Sequence, residues 1–90
     1  MNAPRKRWLI DLGNSRLKCA SLDAQGRRGE VIAISHAQPH PMIALLEHLG
    51  EDSIGGEAWL ASVASVERTM AIAEALQQVG LAVFRVHAQA

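Results

Sequence analysis

A chain of 90 residues and 9.7 kDa has room for one small domain. Its hydrophobic content of 49% is ample for a core and argues against an intrinsically disordered protein. Nine basic and nine acidic residues give a formal net charge of zero, so no bulk charge attracts the chain to nucleic acid or to an anionic membrane. Any charged ligand therefore needs a local site.

The single cysteine, Cys19, can form neither an intrachain disulfide nor a thiolate metal cluster, which suits a reducing compartment. The apolar runs are a few residues each, well short of the roughly 20 residues that cross a bilayer. The basic start of the chain is followed by the short run 8–10 and then by Asp11, so no secretory signal is predicted. We expect a cytoplasmic protein with no membrane partner.

The first third of the sequence predicts an antiparallel meander of three strands. The apolar run 8–12 is followed by Gly13 and Asn14, a turn signal whose two residues tolerate positive φ. Residues 15–22 then alternate as a strand that returns from a hairpin. Cys19 lies on the apolar side of this alternation, so we expect a buried, unreactive thiol.

The meander is completed by a third strand, and the pattern then becomes helical. A polar turn over 23–29 leads to the β-branched strand 30–36. After two prolines, a helix of about eleven residues closed by Gly50 is predicted from an apolar stripe: Met42, Leu45, Leu46 and Leu49.

The last third of the sequence predicts two more strands and one more helix. The apolar run 58–63 is typical of a strand buried on both faces. Ser65 can cap a second helix that Gly80 ends, and 81–86 is the last strand. The predicted fold class is α/β, a mixed βββαβαβ sheet flanked by helices, with no internal repeat or domain linker.

The segment 11–18 carries the most chemical information, because it combines an acidic strand end, a tight glycine turn and a lysine. Backbone N–H groups beside Gly13 can approach phosphate oxygens, and Lys18 or Arg16 offers positive charge. Asp11 is a candidate Mg²⁺ ligand, since this ion typically takes one or two carboxylates beside phosphates. The candidate phosphate-binding residues are Asp11, Leu12, Gly13, Asn14, Ser15, Arg16, Leu17 and Lys18.

The same segment has a purely structural interpretation. An ordinary β-hairpin with Gly13 and Asn14 at its turn and Asp11 as a cap accounts for the spacing equally well. Neither the Walker spacing nor the dinucleotide-binding glycine spacing is present. Spacing alone therefore leaves both interpretations open.

The run Trp8-Leu9-Ile10-Asp11-Leu12-Gly13-Asn14-Ser15-Arg16-Leu17-Lys18 closely resembles the opening of type III pantothenate kinases, also called Bvg accessory factors. These proteins begin with an apolar strand and Asp-x-Gly-Asn-Thr/Ser, followed by a basic residue and a lysine. The segment 60–66 resembles their small, Ser- and Val-rich strand end before a helix. The resemblance implies the actin-like ATPase fold, related to ribonuclease H, whose half-domain begins βββαβαβ.

The resemblance further implies an ATP-dependent kinase that phosphorylates pantothenate, the first step of coenzyme A synthesis. The loop 11–18 would bind the ATP phosphates, and Asp11 would hold Mg²⁺. A monovalent cation, K⁺ or NH₄⁺, and a homodimer are expected for the complete family member. Residues 1–90 would form a single N-terminal subdomain.

Two features depart from the family pattern. Cys19 stands where relatives commonly have an aromatic residue. The family's Gly-x-Asp-Arg motif, whose aspartate is the catalytic base, should lie beyond Ala90, as should the second actin-like half. No catalytic residue is therefore assigned within 1–90, and the isolated chain is expected to be inactive because phosphoryl transfer needs both reactants positioned.

Two other functions remain open. One is a non-catalytic nucleotide-binding or transcription-regulatory module built on the same half-fold, and the other is a related sugar- or acetate-type kinase. The basic groups 5–7 and 27–28 suggest a nucleic-acid surface, but neutral net charge, few aromatic residues and the absence of a helix-turn-helix pattern argue against it.

The histidines and tryptophans are assigned structural roles. No cysteine partner and no helical two-histidine motif supports a metal site, so surface or capping roles are expected for His36, His40, His48 and His87. Trp8 and Trp59 are expected to pack in the core.

Overall fold

The computed structural model describes residues 6–51 and 54–86. The elements are β1 (Arg7–Leu12), β2 (Arg16–Leu22), β3 (Arg28–Ser35), α1 (Pro41–Leu49), β4 (Glu57–Ser62), α2 (Val66–Gln78) and β5 (Ala82–Val86). The predicted βββαβαβ order is therefore confirmed. Within the described ranges, neither helix has the length and hydropathy needed to cross a membrane.

The strands form one mixed sheet with β1 at its centre. Their order is β3-β2-β1-β4-β5. The first three strands pair antiparallel, as the hairpin pattern predicts, while β4 lies parallel to β1 and β5 lies parallel to β4. The two parallel pairs are connected through α1 and α2, as parallel strands require. The described residues thus form an α/β domain with a five-stranded mixed sheet and two helices.

One face of the sheet carries both helices. Strand alternation puts Trp8, Ile10 and Leu12 on this covered face. Leu45 and Leu49 of α1 and the buried positions of α2 pack against it. The buried cluster consists of Trp8, Ile10, Leu12, Leu17, Cys19, Ile34, Leu45, Leu49, Ala58, Leu60, Ile72, Leu76 and Leu81.

The helix boundaries follow from local chemistry. Pro41 occupies the first turn of α1, where the N–H that proline lacks has no intrahelical partner. Ser65 caps α2 as predicted, its Oγ accepting a hydrogen bond from the Arg68 N–H at 3.2 Å. Gly50 and Gly80 follow the two helices with φ of 73° and 96°, a conformation that favours glycine.

The turn before β3 is shorter than predicted, so β3 begins at Arg28 rather than near Glu30. The Asp23 carboxylate closes this turn by accepting hydrogen bonds from the Gln25 and Arg27 N–H groups at 2.9 and 2.8 Å. The bond from Arg27 lowers the pKa of Asp23. Because the turn ends at Arg27, the next residue, Arg28, pairs with Leu22 between β2 and β3. The first helix is also shorter than expected, at nine residues.

The face of the sheet opposite the helices is bare in the described part of the chain. We call it the open face. Trp59 lies there, half-buried and stacked on Phe84 with 4.7 Å between ring centroids. The expectation that both tryptophans pack in the core is therefore right for Trp8 and wrong for Trp59. The reason is that β4, whose apolar run predicts burial on both faces, is covered by helices on one face only.

Truncating the centre of the covered face tests this core. Leu60 is 0% exposed, and Leu60→Ala is expected to lower the free energy of unfolding by about 2–5 kcal/mol, because it removes apolar contacts and leaves a cavity. Urea denaturation measures the loss. The control is Val63→Ala, at a position 71% exposed, with an expected change within about 0.5 kcal/mol. Equal losses in the two variants would contradict the assigned core.

Burial of Cys19 predicts a pH dependence. Desolvation raises the pKa of its thiol from 9.0 to about 12. Because the unfolded state ionises first, the unfolding free energy should fall as pH rises above about 9, by up to ~1.4 kcal/mol per unit. Denaturation of wild type and Cys19→Ala between pH 8 and 10.5 isolates this contribution. Identical slopes in the two proteins would show that the thiol is not buried.

Candidate functional site

The candidate site lies where the central parallel strands β1 and β4 end. The Val63 N–H donates to the Leu12 carbonyl at 3.0 Å, which holds the two strand ends side by side. The turn 13–15 continues from β1, and α2 starts a few residues after β4. Ligands of α/β proteins commonly bind outside the carboxyl ends of the strands, so this edge is the natural place for a site.

The turn between β1 and β2 is tight, but it does not use positive φ. The Gly13 N–H donates to the Arg16 carbonyl at 2.9 Å. Neither Gly13 nor Asn14 lies in the left-handed region, so their tolerance of positive φ is not what the turn requires. A Cβ on Gly13 would instead lie 3.1 Å from the Arg16 carbonyl oxygen. Glycine is favoured here by this close approach.

Three consecutive carbonyls of the turn are held by donors from distant elements. The His36 ring nitrogen Nε2 lies 3.0 Å from the Gly13 carbonyl oxygen, and the Arg68 Nη1 lies 3.0 Å from that of Asn14. The His36 backbone N–H donates to the Ser15 carbonyl at 2.9 Å. Since a carbonyl only accepts, His36 must carry a proton on Nε2.

These contacts determine where the turn's N–H groups point. In a trans peptide the C=O and the following N–H point in opposite directions. The Gly13 and Asn14 carbonyls point toward the side chains that bind them. The N–H groups that follow, those of Asn14 and Ser15, therefore point away from these side chains. Neither N–H has an acceptor within the described ranges, and both residues are exposed. Two unpaired N–H dipoles on a braced turn suit an anion.

Charged side chains stand beside the turn on the open face. Asp11 and Lys18 are direct neighbours across the β1–β2 pair, and both are exposed. Arg16 follows on the same side of β2, at the start of the strand. The side chains of Asp11 and Lys18 make no hydrogen bond and no ion pair within residues 6–51 and 54–86. One free carboxylate next to free cations can accept a metal ion together with a phosphate.

The remaining predicted site residues have structural roles. Leu12 and Leu17 pair with each other across β1 and β2, and both side chains are fully buried on the covered face. Only their main chain is available to a ligand. Their burial anchors the two strands on each side of the turn.

A chain of hydroxyls organises the end of β4 and the start of α2. The Ala64 N–H donates to Ser62 Oγ at 3.0 Å, and Ser62 Oγ lies 2.8 Å from Thr69 Oγ1. Thr69 in turn donates to the Ser65 carbonyl at 2.8 Å. Since the one Thr69 proton is used there, Ser62 is the donor to Thr69. Thr69 is buried, and its hydroxyl is fully satisfied.

A metal site made only by protein groups is not present among the described residues, where no three acidic, histidine or cysteine side chains cluster. Asp11 is one carboxylate, which matches Mg²⁺ held jointly by phosphates and water rather than by a protein cage. His48 lies in the last turn of α1 with its ring 5.8 Å from Trp8, and His40 precedes α1 without a side-chain cap. His87 lies outside the described residues.

Sequence reasoning missed the two residues that brace the turn. The sequence predicts a surface or capping role for His36 and no role for Arg68, because they are 23 and 54 positions from the carbonyls they contact. Neither residue stands at a spacing that links it to the motif. Only the strand order and the position of α2 bring them to the turn.

Two cavities show which parts of the surface suit an anion. The cavity of about 320 Å³ on the open face includes Asp11, Lys18 and Arg28. A second cavity, of about 730 Å³, lies at the opposite end of the sheet. Its lining within the described residues has two glutamates but no lysine or arginine: Leu46, Glu47, Leu49, Gly50, Glu51, Ile54, Gln78, Val79 and Gly80. Its charge does not suit phosphate, so the smaller cavity is the better candidate.

Comparison with known proteins assigns no family. No model of a known protein family matches this chain, and no curated protein matches it.

Removing the braces is expected to loosen the turn. His36→Ala and Arg68→Ala should each raise amide hydrogen exchange at Gly13, whose N–H is hydrogen-bonded to the Arg16 carbonyl across the turn, by about 5- to 10-fold, because each removes one hydrogen bond worth about 1 kcal/mol. Arg27→Ala, which affects a distant turn, is the matched control. Unchanged exchange at the Gly13 amide in both brace variants would show that the contacts do not support the turn.

Proposed function

We propose that this chain is the ATP-phosphate-binding N-terminal half of a type III pantothenate kinase, with the actin-like ATPase fold. The observation that carries the proposal is the braced turn 13–15, whose outward N–H groups stand beside Asp11 and Lys18. An ordinary hairpin needs neither the distant braces nor the free charges. The βββαβαβ order and the mixed sheet are compatible with this half-fold.

The proposed roles follow from the donors and charges at the site. The N–H groups of Asn14 and Ser15 hydrogen-bond phosphate oxygens, and the Ser15 hydroxyl adds a third donor. Lys18 offsets the negative charge of the phosphates, with Arg16 close by. Asp11 holds Mg²⁺, which would neutralise charge on the transferring phosphoryl group.

Catalysis requires groups outside residues 1–90. The chain has no Gly-x-Asp-Arg sequence, which supplies the base toward the pantothenate hydroxyl in the family. The acceptor pocket, the K⁺ or NH₄⁺ site and the homodimer contact belong to the proposed complete kinase. The function proposed for this segment alone is therefore binding of Mg·ATP, and cytoplasmic location is part of the same proposal.

Calorimetric titration with Mg·ATP tests this function. Lys18→Met is expected to weaken binding by about 10-fold or more, because it removes a positive charge that lines the candidate phosphate cavity. Lys6→Met is the matched control, since Lys6 lies at the other end of the sheet, 5.6 Å from the Trp8 ring centre. No saturable binding by wild type, or equal weakening in both variants, would contradict the proposed site.

Metal dependence provides a second test. Asp11→Asn keeps the size of the side chain but removes the carboxylate, so it should abolish the gain in ATP affinity that Mg²⁺ gives wild type. Titrations with ATP in Mg²⁺ and in excess chelator measure this gain, and Asp23→Asn is the control carboxylate. A full Mg²⁺ effect in Asp11→Asn would show that Asp11 does not hold the metal.

A regulatory, nucleic-acid-binding module is the second candidate function. It is favoured by one observation, a cleft of about 290 Å³ at the far end of the sheet whose lining has four basic residues, Lys6, Arg7, Arg27 and Arg28, and one acidic residue, Asp23. Titration with duplex DNA at two salt concentrations separates it from the kinase half. Salt-sensitive DNA binding without ATP binding would favour the regulatory module.

A further inference from the structure

The cavity of about 730 Å³ lies between the ends of the two helices, at the end of the sheet opposite the candidate phosphate site. Its walls come from the last turn of α1, the segment that leads into β4, and the turn that follows α2. Cavities of about 300–1,000 Å³ commonly hold small organic ligands. Its lining shares no described residue with the smaller cavity beside Asp11, so the two can be occupied independently.

Backbone contacts hold the walls of this cavity together. The Gly55 N–H donates to the Gly80 carbonyl at 2.9 Å, which joins the segment before β4 to the turn after α2. A Cβ on Gly80 would lie 3.1 Å from Ile54 Cγ2, so these two walls are in close contact. On the other side, the Gly50 N–H donates to the Leu46 carbonyl at 3.1 Å and closes α1. A ligand therefore enters a formed cavity and does not have to order it.

Aliphatic side chains make up much of the wall. They are contributed by Leu46, Leu49, Ile54 and Val79. Ile54 is 69% exposed and Val79 39%, so apolar surface faces water inside a concave site. A ligand with an apolar body would remove this surface from water together with its own.

The charge of the cavity is negative. Glu47 and Glu51 are the charged side chains of its lining within the described part of the chain, where they make no hydrogen bond and no ion pair. Both helices end at the cavity, and a helix C-terminus carries partial negative charge. The last turn of α2 has no basic residue, while His48 in the last turn of α1 lies against the Trp8 ring.

We propose that this cavity binds a small organic cation, a compact apolar body that bears a primary ammonium group. The body packs on the aliphatic walls. The ammonium lies beside Glu47 and Glu51 and donates to their carboxylates and to carbonyls at the helix ends, which lack partners within their own helix. A bare metal ion fits less well, because no three acidic, histidine or cysteine side chains cluster among the described residues. The proposal concerns a second site and does not rest on ATP binding.

Three probes that share one adamantane cage and differ in charge test the ligand class. In an NMR titration of the chain without nucleotide, adamantylammonium should bind with a dissociation constant of roughly 1 mM and shift the Gly50 and Gly80 amides. Neutral adamantanol should bind about 5-fold more weakly, and adamantane carboxylate about 10-fold more weakly or worse, because the cavity repels an anion. No saturable binding, equal affinity for the three probes, or shifts elsewhere alone would overturn the proposal.

Two neighbouring exposed glutamines provide matched variants that locate the site. Gln78 lines the cavity, and Gln77 does not. Gln78→Lys places an ammonium group inside the cavity and should weaken adamantylammonium binding by about 10-fold, whereas Gln77→Lys makes the same change of net charge and should alter it by less than about 2-fold. Equal effects of the two variants would overturn the assigned site.

Neutralising the carboxylates tests their role. Glu47→Gln and Glu51→Gln should each weaken adamantylammonium binding by about 2- to 5-fold, as expected for an exposed ion pair, and should leave adamantanol binding unchanged. Glu67→Gln, in the first turn of α2 at the other end of the helix, is the control. Unchanged affinity for the cation in both cavity variants would overturn the proposal. The titrations contain no nucleotide, so the ATP titration decides the proposed function separately.

Discussion

The alternation of side chains along β1 is the constraint on which the rest of the structure depends. This strand is central, so its two faces define the two faces of the whole sheet. The helices pack on one face against Trp8, Ile10 and Leu12. Because side chains alternate along the strand, Asp11 lies on the opposite face. A slip of one residue would bury the carboxylate and expose the core, at a free-energy cost that specifies the register. Packing therefore determines the position of the candidate metal ligand.

Much of the fold could be predicted because its signals are local. Strand alternation, the helical stripe and the cap at Ser65 each involve residues within a few positions of one another, and the structure confirms the elements they predict. The error at Trp59 has a different origin. Its apolar neighbours predict burial, but the number of covered faces depends on where both helices pack, which no short pattern encodes.

Only the contiguous part of the candidate site could be predicted from the sequence. The segment 11–18 is contiguous, so its glycine turn and charges are visible in the sequence. The contacts that orient the turn come from β3 and α2, and they depend on the whole sheet being assembled. His36 shows this clearly, since a histidine between a strand and a proline-rich loop has no distinguishing feature until the strand ends beside Ser15.

The hydroxyl chain at the end of β4 limits what this edge can offer a ligand. Each hydrogen bond of this network has a fixed donor. The Ala64 N–H donates to Ser62 Oγ, the Ser62 hydroxyl donates to Thr69 Oγ1, and the Thr69 hydroxyl donates to the Ser65 carbonyl. Ser62 therefore stands at the carboxyl end of a central strand with its proton already committed. The two strand ends therefore differ chemically. Ser62 at the end of β4 has no hydroxyl proton left to donate to a ligand, so the ligand's hydrogen-bond donors come from the turn after β1.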